Sequence, residues 1–349
     1  MNERISGLDS MRGIAAFLVY THHFVLMFYP TFYFGEHNWF NHLFNPDLAV
    51  SWFFVHSGFV LAYKGAFLTG DRFRSQLLDQ ALRRYLRLLP PVIASILITY
   101  ALMKTDLVFN QAYGKELNSV WTAQYLKFEP FFGEALKQSF YSIYFNFKSS
   151  TTFNPNLWTI GQELIGSYIL FAGLGIIGWW KKSYIPFLCF ALVVGPWKGI
   201  MCFFIGAGLS RLPSIKLHPF LLGFLIITGF LISDLKGSYS LYARNIGAGI
   251  LMFCLLNLPR IRNWLSLPLL EYLGRISYSL YVMHFIVLMS FTCWLGMKWS
   301  AHDSHMKVLL LYALTTFVLI IVSHLIWKYI DSPGIKTSKR FSQLCLKRN

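Results

Sequence analysis

Apolar residues run along this chain in long unbroken stretches, without the alternation of a strand or the one-sided stripe of a surface helix. The first starts near Gly13 and continues to Tyr29. The others cover about 46–67, 90–104, 157–180, 184–197, 199–215, 218–234, 241–258, 266–294 and 308–330, which makes ten in all. Segments apolar on every face predict helices surrounded by lipid or buried in a bundle. The fold class expected is therefore all-α, a polytopic integral membrane protein of about ten transmembrane helices. Several runs fall short of the roughly 20 residues a span needs, so their boundaries are the least defined part of this reading.

Charge orients the bundle. With both termini in the cytoplasm, most of the 31 Lys and Arg fall on the cytoplasmic side, as the positive-inside rule requires. The formal net charge of +16 is then mainly an orientation signal. The basic residues are dispersed between apolar runs, which excludes a nucleic-acid partner. The first run lacks a small-residue cleavage site and is not read as a removable signal. A transmembrane domain over residues 1–335 and a basic cytoplasmic tail over 336–349 are expected.

Composition agrees. Hydrophobic residues make up 55% and charged residues 13%, about half the charged share of soluble domains. A soluble enzyme, a disordered chain and a disulfide scaffold are excluded. The five cysteines are widely spaced; without paired spacing they read as small buried hydrophobes, and no metal site is expected. Residues 105–156 break the pattern, being long for a loop and rich in Lys, Glu, Tyr and Phe. The stretch Phe131–Phe147 suits an amphipathic helix on the outer interface or the wall of a cavity mouth.

Polar residues inside apolar runs are the candidates for chemistry, because each is costly to place in a membrane. Arg12 and His23 are eleven residues apart on the first run, hence on one helical face and roughly 16 Å apart along the axis. A lone intramembrane histidine serves either packing or chemistry, and His22 beside it points elsewhere. Arg84 and Arg87 share a face just before Pro90-Pro91; guanidinium groups suit phosphates, and equally suit topology and lipid headgroups. The stretch Asn156-Leu157-Trp158-Thr159-Ile160-Gly161-Gln162-Glu163 places a carboxylate inside a span, as a functional group or as a partner for a buried cation. Ser277, Tyr281 and His284 form a polar stripe at i, i+4 and i+7, a spacing that also serves as interhelical glue. Gly58, after His56-Ser57, marks a close helix approach.

In this order, these pieces resemble the membrane-bound acyltransferase family 3, the nodulation-type and O-antigen O-acetyltransferases. The resemblance begins at Leu8-Asp9-Ser10-Met11-Arg12-Gly13, where the family's Arg-x10-His pattern falls on Arg12 and His23. It continues through Phe53-Phe54-Val55-His56-Ser57-Gly58-Phe59, Arg84-x-x-Arg87-x-x-Pro90, Trp158-x4-Glu163 and the stripe from Ser277 to His284. Thr159 stands where Ser is usual, and Asp331-Ser332-Pro333 where the family often has Glu-x-Pro. The resemblance implies transfer of an acyl group, with acetyl the expected one, from acyl-CoA to a hydroxyl of a sugar, polysaccharide or glycolipid, in the bacterial inner membrane. It implies His23 as general base, Glu163 orienting it or stabilising its cation, and Arg12, Arg84 and Arg87 holding the donor's phosphates. Trp158, Ser277, Tyr281 and His284 are substrate-contacting or structural polar residues. Acyl-CoA is then a substrate, no cofactor is permanently bound, and membrane lipids are partners; homo-oligomers are left open. A transporter using His23, Glu163 and His284 as a proton relay is the competing reading.

Overall fold

The computed structural model describes residues 7–29, 45–63, 65, 68, 70–177, 184–195, 199–212, 215 and 217–347. These are helical throughout the regular structure, with no strand among them. Ten principal helices follow in order: α1 (Leu8–Phe28), α2 (Pro46–Tyr63), α3 (Gly70–Lys104), α4 (Trp158–Ile177), α5 (Ile185–Val194), α6 (Ile200–Leu209), α7 (Pro219–Ser233), α8 (Ser240–Asn257), α9 (Pro268–Val287) and α10 (His305–Ile326). Each apolar run of the sequence falls on one of them. The α9 helix runs on through a π turn to Trp299, and α10 through another into Ser332–Lys347. Residues 336–347 are thus helical, and Ser342 Oγ ties them back to Asp79 Oδ1 of α3 at 2.7 Å.

Not every run makes a span by itself. Five helices are long and apolar enough to cross a membrane, or six if Ser240–Asn257 and Pro259–Leu265, bent by 93°, count as one. The α5 and α6 helices have ten residues each, about 15 Å of rise against a hydrocarbon core of about 30 Å.

Two glycine contacts set the bundle's geometry. A Cβ on Gly13 of α1 would lie 2.6 Å from the Gly274 nitrogen of α9, and one on Gly274 would lie 2.4 Å from the Asp9 carbonyl oxygen. Backbone therefore meets backbone, as at small-residue crossings in membranes. Ten residues further along both helices, His23 meets His284, so α1 and α9 run parallel and in register. On the other side of α2, a Cβ on Gly58 would lie 2.1 Å from the Phe203 carbonyl oxygen, and one on Gly206 2.0 Å from that of Val55. The close approach expected at Gly58 is this α2–α6 contact.

Residues 105–156 fold into short pieces: Asn110–Glu116, Val120–Ala123, and Phe132–Lys137 continuing through a π turn to Ile143–Phe145. The last piece packs on α3 and α4, where the Tyr85 hydroxyl donates to the Phe140 carbonyl at 2.6 Å. The chain then turns back, and Asn154 Oδ1 accepts from the Asn156 amide at 3.1 Å to start the turn Pro155–Leu157 that leads into α4.

Gly274→Val would force α1 and α9 apart. It should cost about 1–3 kcal/mol by overpacking, read as a lower Tm in detergent. Gly223→Val, where an added Cβ meets nothing within 4 Å, should leave Tm nearly unchanged.

Candidate active site

Helices α1, α2, α3, α4 and α9 enclose a cavity of about 160 Å³. Arg12, Arg84 and Arg87, expected to share one mouth, all line it. Burial dictates how they are held, since an ion inside an apolar bundle needs a counter-ion and hydrogen bonds. Arg84 pairs with Glu163 and donates from Nε to Ser167 Oγ at 2.7 Å. Ser57 Oγ donates to the same Glu163 oxygen at 2.7 Å. Arg87 pairs with the buried Asp331 and lies 5.3 Å from the Tyr278 ring centroid. Arg12 stands 3.9 Å from Asp9, one turn earlier on α1. Three guanidinium groups thus face three carboxylates, and the formal charge of the cluster cancels.

At the far end of the cavity, Tyr281 and Thr159 form the wall. Thr159 Oγ1 donates to the Tyr281 hydroxyl at 2.9 Å, and that hydroxyl donates to the Asn156 carbonyl at 3.0 Å. Just beyond lies a cluster of nitrogen groups. His23 Nδ1 is 3.0 Å from His284 Nε2, with the two rings stacked at 5.2 Å. Asn156 Nδ2 is 2.8 Å from the same His284 Nε2. Trp121, from the 105–156 segment, stacks on His23 at 5.2 Å from the opposite side. Asn154 holds α9 in place by donating to the Val282 carbonyl and to Ser95 Oγ, both at 2.8 Å.

Glu163 does not reach His23. It lies seven residues beyond Asn156, roughly 10 Å further along α4, and its oxygen is taken by Arg84 and Ser57. The partner of His23 is His284, so the expected Glu163–His23 pairing is replaced by a histidine pair. Of the polar stripe, Tyr281 and His284 reach the site, while Ser277 is buried beside it with no hydrogen bond from Oγ among the described residues. Trp158 is 39% exposed and is not part of the cavity wall. Asn156, Trp121, His56 and Asp331 were not singled out as site residues by sequence reasoning. Asn156 and Asp331 were visible as polar residues within or at the end of apolar runs; nothing local marked Trp121. Among the described residues no group of three or more His, Cys, Asp and Glu could hold a metal ion.

The family model described as "Acyltransferase domain" matches residues 5–328. The chain belongs to acyltransferase family 3. The match covers every helix that lines the cavity and ends just short of Asp331. No curated protein and no solved structure matches the chain. Membership makes the protein a membrane acyltransferase by family.

Arg84→Leu would leave Glu163 without its cation. Breaking a buried pair from one side should lower stability by about 3–5 kcal/mol. The double change Arg84→Leu/Glu163→Leu should recover most of that loss in thermal unfolding.

Proposed function

We propose that the protein transfers an acyl group, acetyl in the simplest case, from acyl-CoA to a hydroxyl of a sugar, polysaccharide or glycolipid. The observation that carries this reading is the His23–His284–Asn156 cluster just behind the Tyr281–Thr159 wall of a cavity that three arginines line. Both termini and the arginine mouth face the cytoplasm of a bacterial inner membrane on this reading, with ten membrane passes in which α5 and α6 are short. The cavity wall is rich in apolar side chains, among them Phe53, Val60, Leu88 and Ile160, which suit the methylenes of an acyl-pantetheine arm and not a polyanion. The phosphates therefore stay at the mouth, where Arg12, Arg84 and Arg87 meet them. Acyl-CoA is the donor substrate, and no bound cofactor enters the scheme.

The hydrogen bonds set the protonation pattern. An amide nitrogen only donates. With Asn156 Nδ2 against it, His284 Nε2 is the acceptor, and the proton of the His23–His284 bond resides on His23 Nδ1. His23 Nε2 is then bare and can take a proton. The acceptor hydroxyl attacks the thioester carbonyl as its proton passes to His23 Nε2. The new C–O bond forms, the C–S bond breaks, and the departing thiolate recovers that proton as the free thiol. His284 stabilises the transient His23 cation through Nδ1–H, so it is a positioning residue. Glu163 keeps Arg84 and Ser57 in place at the mouth and acts one step removed from the chemistry.

Purified protein incubated with labelled acetyl-CoA should release CoA, faster when a suitable glycan is added. His23→Ala should abolish transfer without loss of folded yield. His284→Ala should lower kcat by about 10²-fold, within the range of general-base catalysis, while the donor KM holds. His284→Gln should retain part of the rate, because an amide oxygen can still accept from His23. Proton-coupled solute uptake into vesicles with no CoA release would overturn the proposal in favour of a transporter.

A further inference from the structure

The cavity contains one polar group that the arrangement above does not use. His56 of α2 lines the wall and is 3% exposed. Its Nε2 is buried with no hydrogen-bond partner among the described residues. The other polar side chains of the wall have partners: Ser57, Arg84 and Glu163 with one another, Arg87 with Asp331, Arg12 with Asp9 at 3.9 Å, and Thr159 with Tyr281. Tyr278 donates its hydroxyl to the Leu88 carbonyl at 2.7 Å. Leaving a buried polar atom unsatisfied costs stability, which a ligand that bonds it would recover.

Depth says which part of a ligand meets His56. Its neighbour Ser57 bonds Glu163, and Glu163 lies seven residues along α4 from Asn156, which bonds His284. His56 is therefore roughly 10 Å below the histidine pair. In an acyl-pantetheine arm, the second amide nitrogen stands eight bonds from the reacting carbonyl carbon. An extended chain advances about 1.27 Å per bond, which gives about 10 Å. The cavity wall also carries Phe53, Val60, Leu88 and Ile160, apolar surface that suits the methylenes on either side of an amide. A neutral imidazole nitrogen can donate to the amide oxygen or accept from its N–H.

We infer that His56 binds the acyl donor by hydrogen bonding the second amide of its pantetheine arm, the one nearer the phosphates. This rests on the acyltransferase reading and adds a donor-recognition site to it. His56 touches the substrate far from the reacting atoms, so it acts on donor affinity rather than on the chemical step.

Three donors of decreasing length test it: acetyl-CoA, S-acetyl-pantetheine, and S-acetyl-N-acetylcysteamine, which ends after the first amide. His56→Leu should lower the preference for S-acetyl-pantetheine over the truncated donor by about tenfold, the order of one lost hydrogen bond. The loss should appear in KM and be the same for acetyl-CoA. His56→Gln, which keeps a donor and an acceptor, should restore most of the preference. Tm of His56→Leu should equal or exceed that of the wild type, since the change removes an unsatisfied buried group. An unchanged preference among the three donors would overturn the inference while leaving the acyltransferase reading intact. So would an equal penalty on all three with a lowered Tm, which marks a structural histidine. A wild type that releases the free thiol from none of the donors would overturn both.

Discussion

A charge inside an apolar helical bundle must be neutralised where it stands, and the mouth of this cavity is organised by that requirement. Arg84 and Arg87 rise from one helix, and their carboxylates come from two others, Glu163 on α4 and Asp331 at the end of the α10 run. Each pair therefore ties α3 to a different neighbour. The cost of desolvating four ions is offset only if the geometry is good and the remaining donors find partners. Ser57 and Ser167 supply those partners for the Arg84–Glu163 pair. The helices α2, α3, α4 and α10 are tied together by electrostatics that have no alternative partner in hydrocarbon.

The other end depends on backbone contact. Gly13 and Gly274 let α1 and α9 touch without side chains between them, and their parallel register then brings His23 to His284. A histidine pair stacked at 5.2 Å needs its helices at this separation. Asn154 and Asn156, in the turn before α4, finish the arrangement by bonding the Val282 carbonyl and His284 Nε2. The break before α4 thus has a purpose: on an unbroken helix, residues two apart such as Asn154 and Asn156 would point about 200° apart and could not both reach one neighbour.

Much of this was legible in the amino-acid order. Unbroken apolar runs predicted the ten principal helices, because burial or lipid contact on every face leaves that trace. Arg12, Arg84 and Arg87 were grouped by their cytoplasmic placement and by the family resemblance, and all three line the cavity. Partner choice was not legible. Glu163 was assigned to His23, yet helix depth places it level with Arg84, and depth across helices is not encoded in local spacing. Trp121 was hidden for a related reason, since a short helix in a polar segment gives no periodic signal. Run length also differs from helix length: α5 and α6 are apolar like the rest but have ten residues each.

The cancellation of charge at the mouth bears on how the site would discriminate among anions. Three arginines with three carboxylates concentrate little net charge at the cavity itself. On the acyltransferase reading, donor phosphates gain affinity by joining an existing network. Arg12, whose carboxylate stands off at 3.9 Å, is the guanidinium least committed to a partner and the one a phosphate can engage at least cost. Arg84 and Arg87 are bound in closer pairs, so drawing them toward a phosphate means loosening the contacts that hold α4 and α10. Donor binding at the mouth would then be coupled to the packing of those two helices. Because α4 begins at the asparagines that hold His284, that coupling leads from the mouth to the histidine pair.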